Sequence, residues 1–415
     1  MLTSSQVHCC IAGGGPAGMV LGVLLARAGL RVTVLEKHAD FLRDFRGDTI
    51  HPSTLEVMKE LGWLDEFLKL PHQKVSQIGV QYAGRFMPIA DFTKLPVACP
   101  YIAFMPQWDF LNFLAEKGSR YPGFDLRMNT EATGLIFAAD RVTGLKATAP
   151  DGEVETIAAD LVIAADGRGS LLRDAAGLKV RDLGAPIDVL WFKLPRKSDD
   201  PEQTMGKIEP RRMVVQLYRG DYWQCAYIIA KGDFGRIQGL GLDAFRKDIT
   251  RVLPFAVDRI DEAIASWDDV KLLTVRVDRL ETWWRDGFLC LGDAAHAMSP
   301  VGGVGINLAV QDAVAAANIL YEPLRRRCPR GEDLAAVQKR RLFPAKQTQT
   351  FQVTAHKRVL ARVLAGELPP QPPLALRLLF ALPLARRLFA RAIGIGVRPE
   401  HIGKDLRKAM QEAAA

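Results

Sequence analysis

Three carboxylates stand at the ends of apolar runs and beside glycines: Glu36 after RVTVL, Asp166 after LVIAA and Asp293 after FLCLG. A carboxylate so placed can accept hydrogen bonds from the hydroxyls of a ligand. Gly13, Gly15 and Gly18 are spaced G-x-G-x-x-G, with Pro16 and Ala17 inside the motif. In that spacing the first glycine permits a tight turn and the second admits a pyrophosphate to the backbone. The third lets a helix close on a strand. Glu36 follows Gly18 by 18 residues, with Lys37 next to it, where an acid can accept from an adenosine ribose hydroxyl. Gly292, Asp293, Pro300, Gly302, Gly303, Val304, Gly305, Ile306 and Asn307 form a second dense group before a helical pattern. Free N–H groups and the positive dipole end of that helix would face an electron-rich ring that gains negative charge on reduction. Asp166-Gly167 also reads as an ordinary turn, and Asp293 as a helix cap.

These groups need a scaffold, and the patterns supply one. The first 37 residues read strand, glycine turn, helix, strand. Gly29 is placed to end the first helix, and Pro52, Ser53 and Gly62 bracket a second. Residues 106–120, 243–265, 306–320 and about 332–365 are predicted helical. The short alternating runs of 75–104 and 185–232 are expected to build one sheet of a separate domain, with a hairpin turn at Gly220-Asp221. Residues 374–396 are strongly apolar but carry Arg377, Arg386, Arg387, Arg391 and Pro383, which argues against a transmembrane helix. An amphipathic pair packed on the body is expected there; a membrane-surface, lid or dimer contact is the alternative.

At 415 residues the chain has room for one to three domains, and 48% hydrophobic with 25% charged residues is a globular balance. The six cysteines show no CxxC and no metal spacing; Cys9, Cys10 and Cys290 lie in apolar runs as buried thiols. A reducing, cytoplasmic setting is expected, and MLTSSQVHCC has no secretion signal. From Arg325 onward 19 Lys and Arg face 6 Asp and Glu, a surplus of +13 within a net charge of +8. The rest of the chain is therefore mildly acidic, which excludes a uniformly basic nucleic-acid binder.

In this order and spacing, the three motifs resemble the class A FAD-dependent aromatic hydroxylases, the para-hydroxybenzoate hydroxylase-like flavoprotein monooxygenases. The resemblance spans most of residues 7–320. It implies an α/β fold: a FAD-binding Rossmann-like (GR2-type) domain, an inserted mixed β-sheet substrate domain and a helical C-terminal region. Residues 1–74, 105–180 and 275–330 would form the first, 75–104 and 181–274 the second, and 331–415 the third. Gly13, Gly15, Gly18 and Glu36 would hold the ADP half of FAD. Arg46 and Gln107 would lie near the cofactor, and Asp166-Gly167 would serve both FAD and NAD(P)H. Asp293 would bond the ribityl chain, and Pro300, Gly302 and Gly303 would lie along the isoalloxazine. Where the family carries a glutamine this chain has Val304, so the contacts expected there come from the backbone.

The resemblance implies tightly bound, non-covalent FAD, a transient NAD(P)H donor (only one G-x-G-x-x-G is present) and O2 as co-substrate. Hydroxylation of an aromatic or other electron-rich small molecule would proceed through a flavin C4a-hydroperoxide. Trp191, Gln216, Tyr218, Trp223 and Tyr227 are candidates for lining the substrate, with sheet packing as the alternative for each. Alternation puts Gln216 and Tyr218 on one strand face and Trp223 and Tyr227 on another alternation. His51 and Tyr218 are candidates for a base or relay; His296, in GDAAH, reads as a structural hydrogen-bonding residue. No metal is expected, and a homodimer is left open. The competing readings are a halogenase or double-bond reductase on the same fold, and a non-catalytic FAD-binding protein with a membrane-associating tail. Trp283-Trp284-Arg285 does not supply the halogenase signature, and the aromatic motif of the double-bond (geranylgeranyl) reductases is also missing.

Overall fold

Val7–Ala12 is apolar without alternation, as a strand covered on both faces must be. In the computed structural model, which describes residues 7–42, 49–201, 205–369 and 371–414, it lies in the middle of a sheet that is parallel except at its Trp284–Arg285 edge. The strand order is Trp284–Arg285, Phe288–Cys290, Val154–Ala164, Val7–Ala12, Val32–Leu35, Phe124–Arg127. Arg141–Thr148 and Glu131–Ala138 extend it as an antiparallel pair. The helix Pro16–Arg27 follows the first strand and is buried from Ala17 to Ala26. A Cβ at Gly22 would lie 2.7 Å from Val34, so this glycine sets how closely helix meets sheet. The helix Gly305–Arg325 packs beside it and is buried along most of its length.

A second, seven-stranded sheet runs Lys271–Leu273, Ile187–Pro195, Tyr222–Ala230, Arg212–Tyr218, Met205–Glu209, Gln77–Tyr82, Arg85–Asp91. The hairpin at Gly220-Asp221 is present, with Gly220 at φ +88° and Arg219 donating to the Tyr222 carbonyl at 3.0 Å. The two strand-rich stretches do meet in this sheet, with one departure. Ile102–Phe104 pairs instead with Thr49–Ile50 and Gln73–Val75 in a three-stranded sheet of its own. The helical stretch at 243–265 is also split. Leu242–Val252 ends before Pro254, whose ring cannot continue a helix, and Ile260–Ala263 forms a separate turn.

One face of the seven-stranded sheet is sealed by Leu242–Val252, with Phe192, Trp223, Tyr227, Phe245 and Ile249 in a shared core. The opposite face carries Val189, Ala226, Ile228 and Trp191, packed with Val301 and Leu360. The C-terminal region is helical: Gly331–Ala355, a π-helical turn at His356–Leu360, then Ala361–Ala365, Leu374–Ala381, Pro383–Gly394 and Lys404–Glu412. Pro383–Gly394 docks through Ala385, Ala390 and Gly394, against the strand Arg85–Asp91 and Phe92. Leu374–Ala381 buries no residue, so the expected pair is half packed.

Candidate functional site

The N-terminal turn has the geometry its glycines call for. Gly13 sits at φ +109°, where a Cβ would meet the Ala165 carbonyl oxygen at 2.3 Å. A Cβ on Gly18 would stand 2.0 Å from the Gly13 oxygen. Both positions are closed to any side chain, whereas Gly15 faces open space at the start of Pro16–Arg27, a helix with no side-chain cap. The turn and the helix N-terminus thus form a cradle of backbone N–H groups suited to phosphate. Glu36 closes it: Oε2 accepts from Gly14 N and Oε1 from His38 N, both at 3.1 Å. Lys37 points elsewhere, 3.9 Å from Glu131.

Asp166 and Asp293 come together at the ends of adjacent parallel strands, with Arg168 and Arg173 as the cations beside them. Arg168 donates from Nε to Asp293 Oδ2 at 2.9 Å and from Nη2 to the Met298 carbonyl at 3.1 Å. Arg173 is buried and donates to the Ala294 and Arg168 carbonyls. Ser170 caps the short helix Leu171–Ala175 by accepting from Arg173 N. Asp166 Oδ1 is buried with no partner, and burial pushes its carboxyl above the usual range, partly offset by the Ser170 hydroxyl. A buried acceptor without a donor costs about 1–3 kcal/mol, so this atom suits a ligand that brings one. Arg168 was not singled out in the sequence. Only its position two residues after Asp166 signals it.

The loop Pro300–Val304 is the third part. Gly302 and Gly303 have φ of +85° and +63°, and a Cβ on Gly303 would lie 2.8 Å from Thr49 Oγ1. Val304 then caps the helix Gly305–Arg325 with no side-chain hydrogen bond, and Gly305 faces open space. The result is an uncapped helix N-terminus behind a flat stretch of main chain. Asn307, one turn in, accepts from Ser53 Oγ at 2.6 Å and Thr54 Oγ1 at 3.0 Å.

The loop is fixed from behind. Gln352 donates to the Ser299 and Val301 carbonyls at 2.9 Å and accepts from Ser299 N at 3.1 Å. His356 Nε2 lies 2.8 Å from Ser299 Oγ. Thr49 donates to the Gly303 carbonyl at 2.8 Å. His51 lies between two carbonyl oxygens, with Nε2 3.0 Å from Gly303 and Nδ1 2.9 Å from Ile393. Its ring is fully buried, and burial pushes its pKa down to about 4, outweighing the two carbonyls that favour a charged ring. The neutral ring carries one N–H and donates to one of the two carbonyls while its other nitrogen faces the second, an arrangement that packs both ring edges against main chain and leaves none for a substrate. His296 Nε2 lies 2.6 Å from Asp312, which also accepts from Arg341 and from Gly292 N. That histidine braces Gly292, matching its structural reading.

Among the remaining candidates, Pro16 and Ala17 open the first helix, with Ala17 against Gly292. Gln107 begins the helix Gln107–Gly118. Arg46 lies outside the described residues. Of the five aromatic and amide candidates, Trp191 shares an apolar cluster with Val301 of the loop. Register sets Gln216 opposite Cys225, Tyr218 opposite Trp223 and Val214 opposite Tyr227, so these side chains share the helix-covered face. The alternation expected between the two strands therefore differs: the hairpin turn brings Tyr218 and Trp223 onto one face, with ring centroids 5.6 Å apart. Trp223 is fully buried and Tyr227 donates to Asp248, so the structure brings neither to the loop, and Tyr218 is not brought to His51.

The residues present fit FAD: a closed glycine turn for the pyrophosphate, an acid for the ribose, an unpartnered buried carboxylate oxygen and an uncapped helix start. Comparisons agree. A family model described as FAD binding domain matches residues 6–350. The 6-methylpretetramide 4-monooxygenase of Streptomyces rimosus is 31% identical over 371 residues, 88% of each chain. A rifampicin monooxygenase of Streptomyces venezuelae is 28% identical over 307 residues, with 73% of this chain and 61% of that longer protein covered. The solved structure of pqsL, described as a probable FAD-dependent monooxygenase from Pseudomonas aeruginosa, shares the fold with a TM-score of 0.72 at 21% identity, covering 88% of this chain and 99% of that one. With its fold, its glycine cradle and these likenesses in agreement, the chain belongs to the FAD-binding family of class A flavoprotein monooxygenases.

Proposed function

We propose that this FAD-dependent monooxygenase uses NAD(P)H and O2 to hydroxylate an extended aromatic compound of the class that 6-methylpretetramide represents. The observation that carries the reading is the loop Pro300–Val304, side-chain-free at Gly302 and Gly303, which feeds an uncapped, buried helix. When bound, FAD supplies hydride acceptance and O2 activation. The protein's own groups bind, orient and exclude water. Backbone N–H groups at Gly305 and beyond would face the negative charge that bound FAD gains on reduction. Arg168 orients Asp293, and Gln352 with His51 keeps the loop from collapsing or opening. Trp191, beside Val301 on the sheet face that meets the loop, is the aromatic side chain assigned to substrate. The relative that covers 88% of both chains supports this substrate class.

The test is to load the purified protein with FAD and follow NADH and NADPH oxidation with a panel of polycyclic phenols under 18O2. Substrate-stimulated oxidation with one 18O in the product is expected. Oxidation indifferent to every panel member, with all O2 recovered as H2O2, would overturn the substrate class.

A further inference from the structure

The helix pair at 374–394 presents an apolar surface that nothing among the described residues covers. Leu374, Leu378, Leu382, Leu384 and Leu388 are each between 57% and 67% exposed. Scattered exposed leucines are ordinary, but five on two consecutive helices form a patch. Pro383–Gly394 resolves into two stripes at helical spacing. Phe389, Ala390 and Ile393 pack with Ala90 of the strand Arg85–Asp91 and with Phe92. Leu384, Arg387, Leu388 and Arg391 recur at i, i+3, i+4 and i+7 on the outward side. A helix that had only to pack on the body would carry polar residues there.

The charge carried by this segment has one sign. Between Glu367 and Glu400 the sequence holds Arg377, Arg386, Arg387, Arg391 and Arg398 and no Asp or Glu. None of the first four forms an ion pair among the described residues. Exposed leucines interspersed with the exposed Arg377, Arg387 and Arg391 match an interface whose interior is apolar and whose surface is anionic. Pairing this face with a second copy would set arginine against arginine with no acid to relieve it. No helix among the described residues is long and apolar enough to cross a membrane, so the pair would lie on a bilayer.

We propose that the Leu374–Ala381 and Pro383–Gly394 helices are an interfacial anchor that docks the enzyme on an anionic lipid surface. The anchor is continuous with the site. Ile393, at the docked end of the second helix, offers its carbonyl to His51, which lies 3.0 Å from Gly303 of the flavin loop. An apolar aromatic substrate partitioned into the bilayer would therefore meet the enzyme on the side where it is anchored.

The probe is vesicle flotation of FAD-loaded protein on phosphatidylcholine alone and on phosphatidylcholine with a third phosphatidylglycerol. Binding to the anionic vesicles, lost in high salt, is expected. Each arginine near an anionic surface contributes about 1 kcal/mol, so R387Q/R391Q should weaken partitioning about 30-fold. L378S/L382S/L384S should abolish it, while flavin absorbance and substrate-independent NAD(P)H oxidation stay unchanged. Failure of the native protein to float with anionic vesicles overturns the proposal. So does a salt-stable dimer that the leucine variant dissociates. Neither result bears on hydroxylation itself.

Discussion

Asp293 owes its orientation to Arg168, which donates to one carboxylate oxygen and ties the pair to the Met298 carbonyl. Replacing Asp293 by alanine removes a charge-assisted acceptor and strands the arginine. We expect Kd for FAD to rise about 10-fold or more, read by quenching of flavin fluorescence on titration into apoprotein. An unchanged Kd would remove Asp293 from the site. His51 makes a different prediction. Its folded pKa, about 4, lies below the ordinary 6.5, so the unfolded chain takes up a proton at a pH where the folded chain does not. Stability is therefore complete above pH 6.5 and falls as the pH drops toward 4, by about 3 kcal/mol for a shift of this size. In His51→Asn that part of the acid slope should vanish, as urea melts at pH 7 and pH 4.5 would reveal. At this scale the glycines and Glu36 were legible because each needs only near neighbours in sequence. The partners of His51 are 252 and 342 residues away, and no local pattern encodes them.

Between residue and molecule stand the elements that hold the loop. The helix Gly331–Ala355 supplies Gln352, whose amide grips the main chain at Ser299 and Val301, and the π-helical turn that follows brings His356 onto Ser299. A widened turn shifts the facing of the next residues, which is why such turns cluster at functional places. Gln352→Ala should raise amide exchange across residues 299–305 with little change in helix content. Hydrogen-exchange mass spectrometry and circular dichroism separate the two readouts. Protection equal to the native loop would mean that Thr49 and His51 suffice. The periodicity of 332–365 predicts the helix but not its role. Burial of a glutamine is invisible in a hydropathy pattern, since glutamine reads as surface. Register between the strands Arg212–Tyr218 and Tyr222–Ala230 escaped for a related reason: alternation within a strand is legible, but the turn that sets one strand against the other decides which residues share a face.

On the scale of the whole molecule, a buried chain of charges joins the cofactor region to the C-terminus. His296 and Arg341 converge on Asp312, Arg341 continues to Glu400, and Arg340 approaches the same glutamate. Burial alone would push the Asp312 carboxyl up, but His296 and Arg341 outweigh it and hold the group below its usual range. With the folded pKa depressed, this stability is present above the ordinary carboxylate range and lost as pH falls below it. Asp312→Asn leaves Arg341 buried against a weaker partner, and a loss of about 3–5 kcal/mol is expected in thermal or urea melts at neutral pH. A shift under 1 kcal/mol would show that Glu400 alone satisfies the arginine. The α/β class and the two large sheets were legible because strand and helix periods differ, whereas the small sheet around Ile102–Phe104 was not. The charge chain was not, since its members are spread from residue 296 to 400.

That same chain orders events in time during synthesis. Gly292 leans on Asp312, Asp312 on Arg341, and Arg341 on Glu400 and the Arg398 carbonyl. The glycine cradle at Gly13–Gly18 is synthesised long before Arg398 and Glu400, the residues on which the bracing of Gly292 ends. Contacts this distant in sequence form late. A chain cut before Arg398 is therefore expected to hold FAD more weakly than one that runs through Glu400, as the flavin absorbance of the two purified proteins would show.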